Sequence, residues 1–271
     1  MESFVSAWST SPLCAGLSGK GRLDDRGVGL TAVSSRVSLV PTASGARLRL
    51  LFSNEYGVKP LKISRCSIGI TGESPRKIKA GTIKYLSFDG KPGTVIPAGE
   101  TVYTDALDFK VINGTALSIT TYFGGFNVFR TVGLIGGRTF AAMGNRCGAG
   151  NVPLAIPLEI SADSGEYQLI PALKGLEVVP REKDSSVCVI FGDSTVANEI
   201  PRLLEKKLLD RGIKNISITQ EAIKGNRLIA DGVGAAAKVL GEAGVKRFER
   251  DALGQALLLN RHHHRRKDEL I

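Results

Sequence analysis

The chain has 271 residues, 42% hydrophobic and 23% charged. That length suits one or two domains, and that balance excludes global disorder. The net charge of +10 is spread, with +6 in residues 1–184 and +4 in residues 185–271. It forms no basic arm of the kind a nucleic-acid-binding segment needs.

No apolar run reaches the roughly 18 residues of a membrane span. Met1-Glu2-Ser3-Phe4 has neither the basic nor the apolar start of a secretory leader. A cytoplasmic chain without a membrane span is therefore expected. Cys14, Cys66, Cys147 and Cys188 lie far apart with no C-x-x-C spacing, which argues for reduced, mostly buried thiols and against zinc. No cofactor or metal is expected. The only three histidines are consecutive, His262, His263 and His264. Any histidine base must come from there.

Residues 1–180 read as β. In 47–52, Leu48, Leu50 and Phe52 alternate with Arg47, Arg49 and Leu51, the sign of a half-buried strand. Further short runs fall at 61–70, 82–88, 101–109 and 116–123. Turn residues separate them, among them Asp89-Gly90 and Asn113-Gly114. Asn113-Gly114-Thr115 also matches a glycosylation sequon and is read as a turn. Many short strands at this spacing predict an antiparallel sandwich.

A polar, Pro-containing linker follows at 179–184. Residues 187–191 are then apolar without alternation, which fits a strand buried on both faces of a parallel sheet. Ile200, Leu203, Leu204 and Leu208 fall at helical spacing, with Pro201 in the first turn and Gly212 as the stop. Residues 215–219 read as a strand, and 235–253 as a helix split by Gly241 and Gly244. This β-α-β-α order predicts a parallel sheet.

Gly192-Asp193-Ser194 lies between the first of these strands and the helix. A serine there stands at the carboxyl edge of a parallel sheet, where α/β proteins place ligands, beside the free N–H groups of a helix start. The same tripeptide also suits a plain helix N-cap.

The string 189–194, then 221–228, Gly232 and 247–253, resembles the first half of an SGNH (GDSL-type) esterase/lipase. Residues 7–12, 47–54, 96–100 and Gly144-Asn145 resemble the β-sandwich that precedes this domain in one bacterial branch. The resemblance extends to about Gln255. It implies an all-β sandwich in residues 1–180. In 185–271 it implies a partial α/β, flavodoxin-like domain with an atypical tail. It also implies hydrolysis of acyl or acetyl esters, on small molecules or carbohydrate, through an acyl-enzyme. Ser194 is the implied nucleophile, with its own N–H and that of Gly225 as oxyanion donors. Asp193 is expected to order the loop, and Arg227 either to face substrate or, as the favoured reading, to make a salt bridge at a helix start.

The family's Gly-x-Asn-Asp block and Asp-x-x-His are missing. Asn260 has no Gly two residues before it and no Asp after it, and Leu259, Asn260 and Arg261 stand three before the histidines. The text after Gln255 reads as a truncated or frame-shifted end, so impaired activity is expected. The members of this family are often secreted. The alternative is a non-catalytic glycan- or protein-binding sandwich carrying a remnant hydrolase domain. The oligomeric state has no signature in the sequence.

Overall fold

The computed structural model describes residues 2–14, 16–17, 23–24, 27–162, 165–197, 200–233 and 240–256. Among them the chain is mostly β, built as several antiparallel sheets with only short stretches of helix. One sheet runs in the order Val5–Ser9, Leu173–Pro180, Gly45–Ser53, Thr101–Tyr103, with Leu107–Val111 also paired to Gly45–Ser53. A second runs Ile156–Pro157, Gly137–Met143, Val28–Leu39, Leu117–Phe129, Arg65–Ile70, Lys84–Leu86. The alternation in Gly45–Ser53 has its physical counterpart here. Leu48, Leu50 and Phe52 are fully buried and share one core with Val37, Ile119 and Phe123 of the second sheet. Each such side chain contributes roughly 1.5–3 kcal/mol by leaving water. Val37 stands opposite Ile119, and Val33 opposite Phe123, which puts them on one face.

The core opens on one side. An apolar cavity of about 330 Å³, open to solvent beside the exposed Met143, Leu154 and Ile156, runs among Val33, Phe123, Phe129, Val132, Ala141 and Leu169. Filling such space commonly stabilises. Ala141→Leu is expected to raise the urea midpoint by the equivalent of about 1 kcal/mol; an unchanged or lower midpoint would mean that the added carbons cannot turn into the cavity.

The expected all-β sandwich followed by a partial α/β, flavodoxin-like parallel-sheet domain needs correction. Beyond residue 185 the described residues hold one parallel pair, Ser186–Gly192 with Ile216–Ala222, joined by the helix Ile200–Asp210. Two strands do not make a parallel sheet covered on both faces. The run 187–191 misled for that reason: only Val187 is buried, and Val189, Ile190 and Phe191 stay half-exposed. The helix has no buried residue. Within 235–253, the described part is a short helix, Gly244–Phe248, that runs into one π-helical turn, Glu249–Leu253. Residues 234–239 and 257–271, including Asn260 and His262 to His264, lie outside the described residues.

The parallel pair leans on the N-terminal strand through a polar seam. The Ser217 hydroxyl donates to the Ser6 carbonyl at 2.6 Å and meets the Thr42 hydroxyl at 2.7 Å. Without that seam the pair leaves strand edges and apolar side chains bare. Residues 185–271 expressed alone are expected to bind hydrophobic dye or aggregate; a monomeric fragment that melts cooperatively would contradict this.

Cys14, Cys66 and Cys147 are buried, Cys188 is half-buried, and none of the four is in a disulfide.

Candidate active site

The strand Ser186–Gly192 ends in a tight turn. The Val196 N–H donates to the Asp193 carbonyl at 3.3 Å, and the Ala197 N–H to the Ser194 carbonyl at 3.4 Å. The Asp193 carboxylate accepts the Thr195 N–H at 2.9 Å. Hydrogen bonds from the Thr195 side chain and backbone hold this carboxyl below its ordinary range. Asp193 therefore shapes the loop, and its carboxylate is engaged with Thr195.

Ser194 is exposed. Its hydroxyl and its N–H donate to no described residue. Gly192 and Ala222 are register partners in the parallel pair, so Ser194 and Gly225 follow the same rung by two and three residues. Both loops therefore leave one carboxyl edge. The Ile223 N–H donates to the Gly192 carbonyl at 3.1 Å and ties the loops at their base. Gly225 has φ +75, and a Cβ there would stand 2.8 Å from Leu240. Only glycine meets both constraints, the left-handed backbone and the close neighbour. The Gly225 N–H donates to no described residue.

Under both loops lies Arg247, fully buried. Its Nη2 donates to the Gly192 carbonyl at 2.9 Å, and its Nε to Asn226 Oδ1 at 3.0 Å. Its Nη1 reaches Ser11 Oγ at 2.9 Å, the Glu221 carbonyl at 3.0 Å and Asp251 Oδ2 at 3.2 Å. Its guanidinium stacks 4.0 Å from the Phe191 ring centre. Asn226 in turn donates through Nδ2 to the Leu240 and Glu242 carbonyls, at 2.9 and 2.7 Å. One side chain thus fixes the strand that carries Ser194, the loop that carries Gly225, and the N-terminal segment.

Glu221 sits beside this network, fully buried. It accepts the Ser11 hydroxyl and the Gln255 amide, each at 2.7 Å. Burial, and then the nearby Asp251 charge, push its carboxyl up to about 8.

No family model matches the chain, and no curated protein matches it. The resemblance to the SGNH esterases rests on the motifs alone. Among the described residues there is no histidine, no group of three or more metal-ligating side chains, and no helix long and apolar enough to cross a membrane. Ser194 and Gly225, named from the sequence, lie on one edge; the base does not join them among the described residues. The Arg227 side chain is exposed and makes no ion pair with a described residue. Its carbonyl is what the fold uses, accepting the Gly244 N–H at 2.8 Å. Sequence reasoning assigned no role to Arg247, Glu221 or Ser11. Its one usable signal was Arg247 and Asp251 at i and i+4 amid the small Ala243, Gly244 and Ala252.

Proposed function

We propose that the chain is a serine esterase acting on acyl or acetyl esters of small molecules or carbohydrate, with slow turnover. The observation that carries this reading is the pair of unengaged N–H groups, of Ser194 and Gly225, at one carboxyl edge beside an unengaged hydroxyl. Ser194 Oγ attacks the ester carbonyl, its proton passes to water or the departing alkoxide, and the alcohol leaves. The two N–H groups hold the negative oxygen that forms on the way. Water then hydrolyses the acyl-serine.

A hydroxyl is a weak nucleophile without a base to take its proton. In a serine hydrolase stripped of its triad, binding and the oxyanion hole alone keep roughly 10³–10⁴-fold over water. Hydrolysis of p-nitrophenyl acetate is therefore expected at or barely above background. Replacing His262, His263 and His264 by Ala is expected to change it little; strong turnover lost on that replacement would show that the tail supplies the base.

The direct test is a fluorophosphonate probe on the full chain, read by mass spectrometry. Slow labelling of Ser194, absent in Ser194→Ala, is the expected result. A chain that stays unlabelled at high probe concentration, or labelling that survives in Ser194→Ala, would leave the non-catalytic binding reading in its place.

A further inference from the structure

A cleft of about 540 Å³ opens between the N-terminal strand, the strand Ile216–Ala222 and the helix Ile200–Asp210. It falls within the size range of small-molecule sites, roughly 300–1,000 Å³. None of the residues lining it belongs to the Ser194 or Gly225 loop. Three of its polar groups are buried without a hydrogen-bond partner among the described residues: Ser9 Oγ, Thr219 Oγ1 and Glu205 Oε1. Thr219 is only 2% exposed. Native proteins leave few buried polar side chains unsatisfied, because each forfeits hydrogen bonds it had in water. Three on one cleft point to something that enters and satisfies them.

The remaining walls narrow the chemistry. Leu39 and Ile218 give apolar surface. Trp8 lines the same cleft, and its indole N–H is already spent on the Gly136 carbonyl at 2.7 Å. A Cβ on Gly136 would stand 2.8 Å from the indole nitrogen, so glycine lets the ring pack there. Trp8 is only 6% exposed, so it offers the cleft a narrow strip of ring and no donor. A hydrocarbon would leave the Thr219 hydroxyl and the Glu205 carboxyl unsatisfied. An anion would suit Arg138 and Arg202, which also line the cleft, but it brings no donor to the Glu205 carboxyl. A metal ion would find one carboxylate and no second strong ligand among the described residues. A neutral molecule with C–H faces and hydroxyls that both donate and accept suits this lining of mixed charge, hydroxyl and apolar surface.

We infer that this cleft binds a neutral sugar, its hydroxyls on Thr219 Oγ1 and Glu205 Oε1 and one ring face toward Trp8. A cavity near 150 Å³ holds one benzene ring, so the cleft has room for two pyranose rings. Burial raises the Glu205 carboxyl above its ordinary value although a hydrogen bond from Asn113 lowers it, and Oε1 is the oxygen left for a sugar hydroxyl. The inference is independent of the esterase reading, since neither Thr219 nor Glu205 touches the Ser194 loop.

The test is saturation-transfer NMR on the full chain with a panel at millimolar concentration. It holds the methyl α- and β-pyranosides of glucose, galactose and mannose, with maltose and cellobiose. At least one is expected to bind, with Thr219→Val and Glu205→Gln each weakening it about tenfold or more. Thr219→Val keeps the side-chain shape, and its hydroxyl has no internal partner, so its melting temperature is expected to match or exceed the parent's. Silence across the panel would overturn the inference. So would binding that both substitutions leave intact. A clear drop in the melting temperature of Thr219→Val would also overturn it, because the hydroxyl would then serve an internal bond across a water-filled seam.

Discussion

Arg247→Ala is expected to lower the unfolding free energy by about 3–5 kcal/mol, the range seen when one partner of a buried ion pair is removed. That is a large share of a stability that for most domains totals about 5–15 kcal/mol. The size follows from what the guanidinium holds. Asp251, also fully buried, loses its i+4 partner, although Arg250 still donates to it at 2.7 Å. The Glu221 carbonyl, Asn226 Oδ1 and Ser11 Oγ each lose a donor, and the Phe191 ring loses the plane stacked on it. Arg247→Lys keeps the charge but not the planar fork, and one ammonium cannot reach acceptors on Gly192, Asn226 and Asp251 together. It is expected to fall between the parent and Arg247→Ala in urea unfolding. Fluorophosphonate labelling of Ser194 should weaken in both variants, because the loops lose their common anchor. An Ala variant within about 1 kcal/mol of the parent, well below the range for a broken buried pair, would show that Arg247 is a passenger in this network.

The antiparallel part was legible where the physics is periodic. Leu48, Leu50 and Phe52 alternate because one face of their strand is buried, and burial on one face leaves a period of two in any sequence. The run 101–109 was legible only in outline. It breaks into Thr101–Tyr103 and Leu107–Val111 because Asp105 leaves the ladder. Its carboxylate accepts the Ser87 hydroxyl at 2.5 Å and the N–H groups of Asp89 and Gly90 at 3.0 and 2.8 Å. Nothing in the spacing of apolar residues announces such a bond.

The run 187–191 failed for another reason. An apolar stretch states that its side chains can be buried, not that the chain supplies two layers to bury them. The seam that holds this strand pair, through Ser6, Thr42 and Ser217, is made of small polar residues that look like surface in a sequence. The same holds for the candidate site. Ser194 and Gly225 were named through the resemblance, and their shared edge was legible because their loops follow successive strands in parallel register. The charges beneath them were not. An arginine and a glutamate in a polar string read as solvated until three-dimensional packing closes over them.

Glu221 gives that closure a measurable pH signature. Its ordinary value is 4.5, and in the fold it is pushed up to about 8, first by burial and then by the Asp251 charge. The folded chain therefore holds a proton there that the unfolded chain releases near 4.5. Between these values the unfolded state binds fewer protons, so stability falls as pH rises through the window and levels off above about 8. Holding one proton across a single pH unit is worth about 1.4 kcal/mol, so the loss over the whole window is roughly 5 kcal/mol at most, a quantity that belongs to Glu221 and Asp251 together. The Glu205 carboxyl, also raised by burial, adds in the same direction, so the Glu221 share is read by comparing the parent with a Glu221 variant. Glu221→Gln is expected to flatten the profile. The Gln oxygen can keep the Gln255 amide, and its amide can donate to Ser11 Oγ, a hydroxyl that turns to accept. At pH 8.5 the Gln variant should then be the more stable of the two. Urea unfolding at pH 5, 6.5 and 8.5 checks this. A parent whose stability rises over that range, or a Gln variant that declines in step with it, would mean that Glu221 keeps its charge in the fold, with Arg247 close enough to hold it ionised.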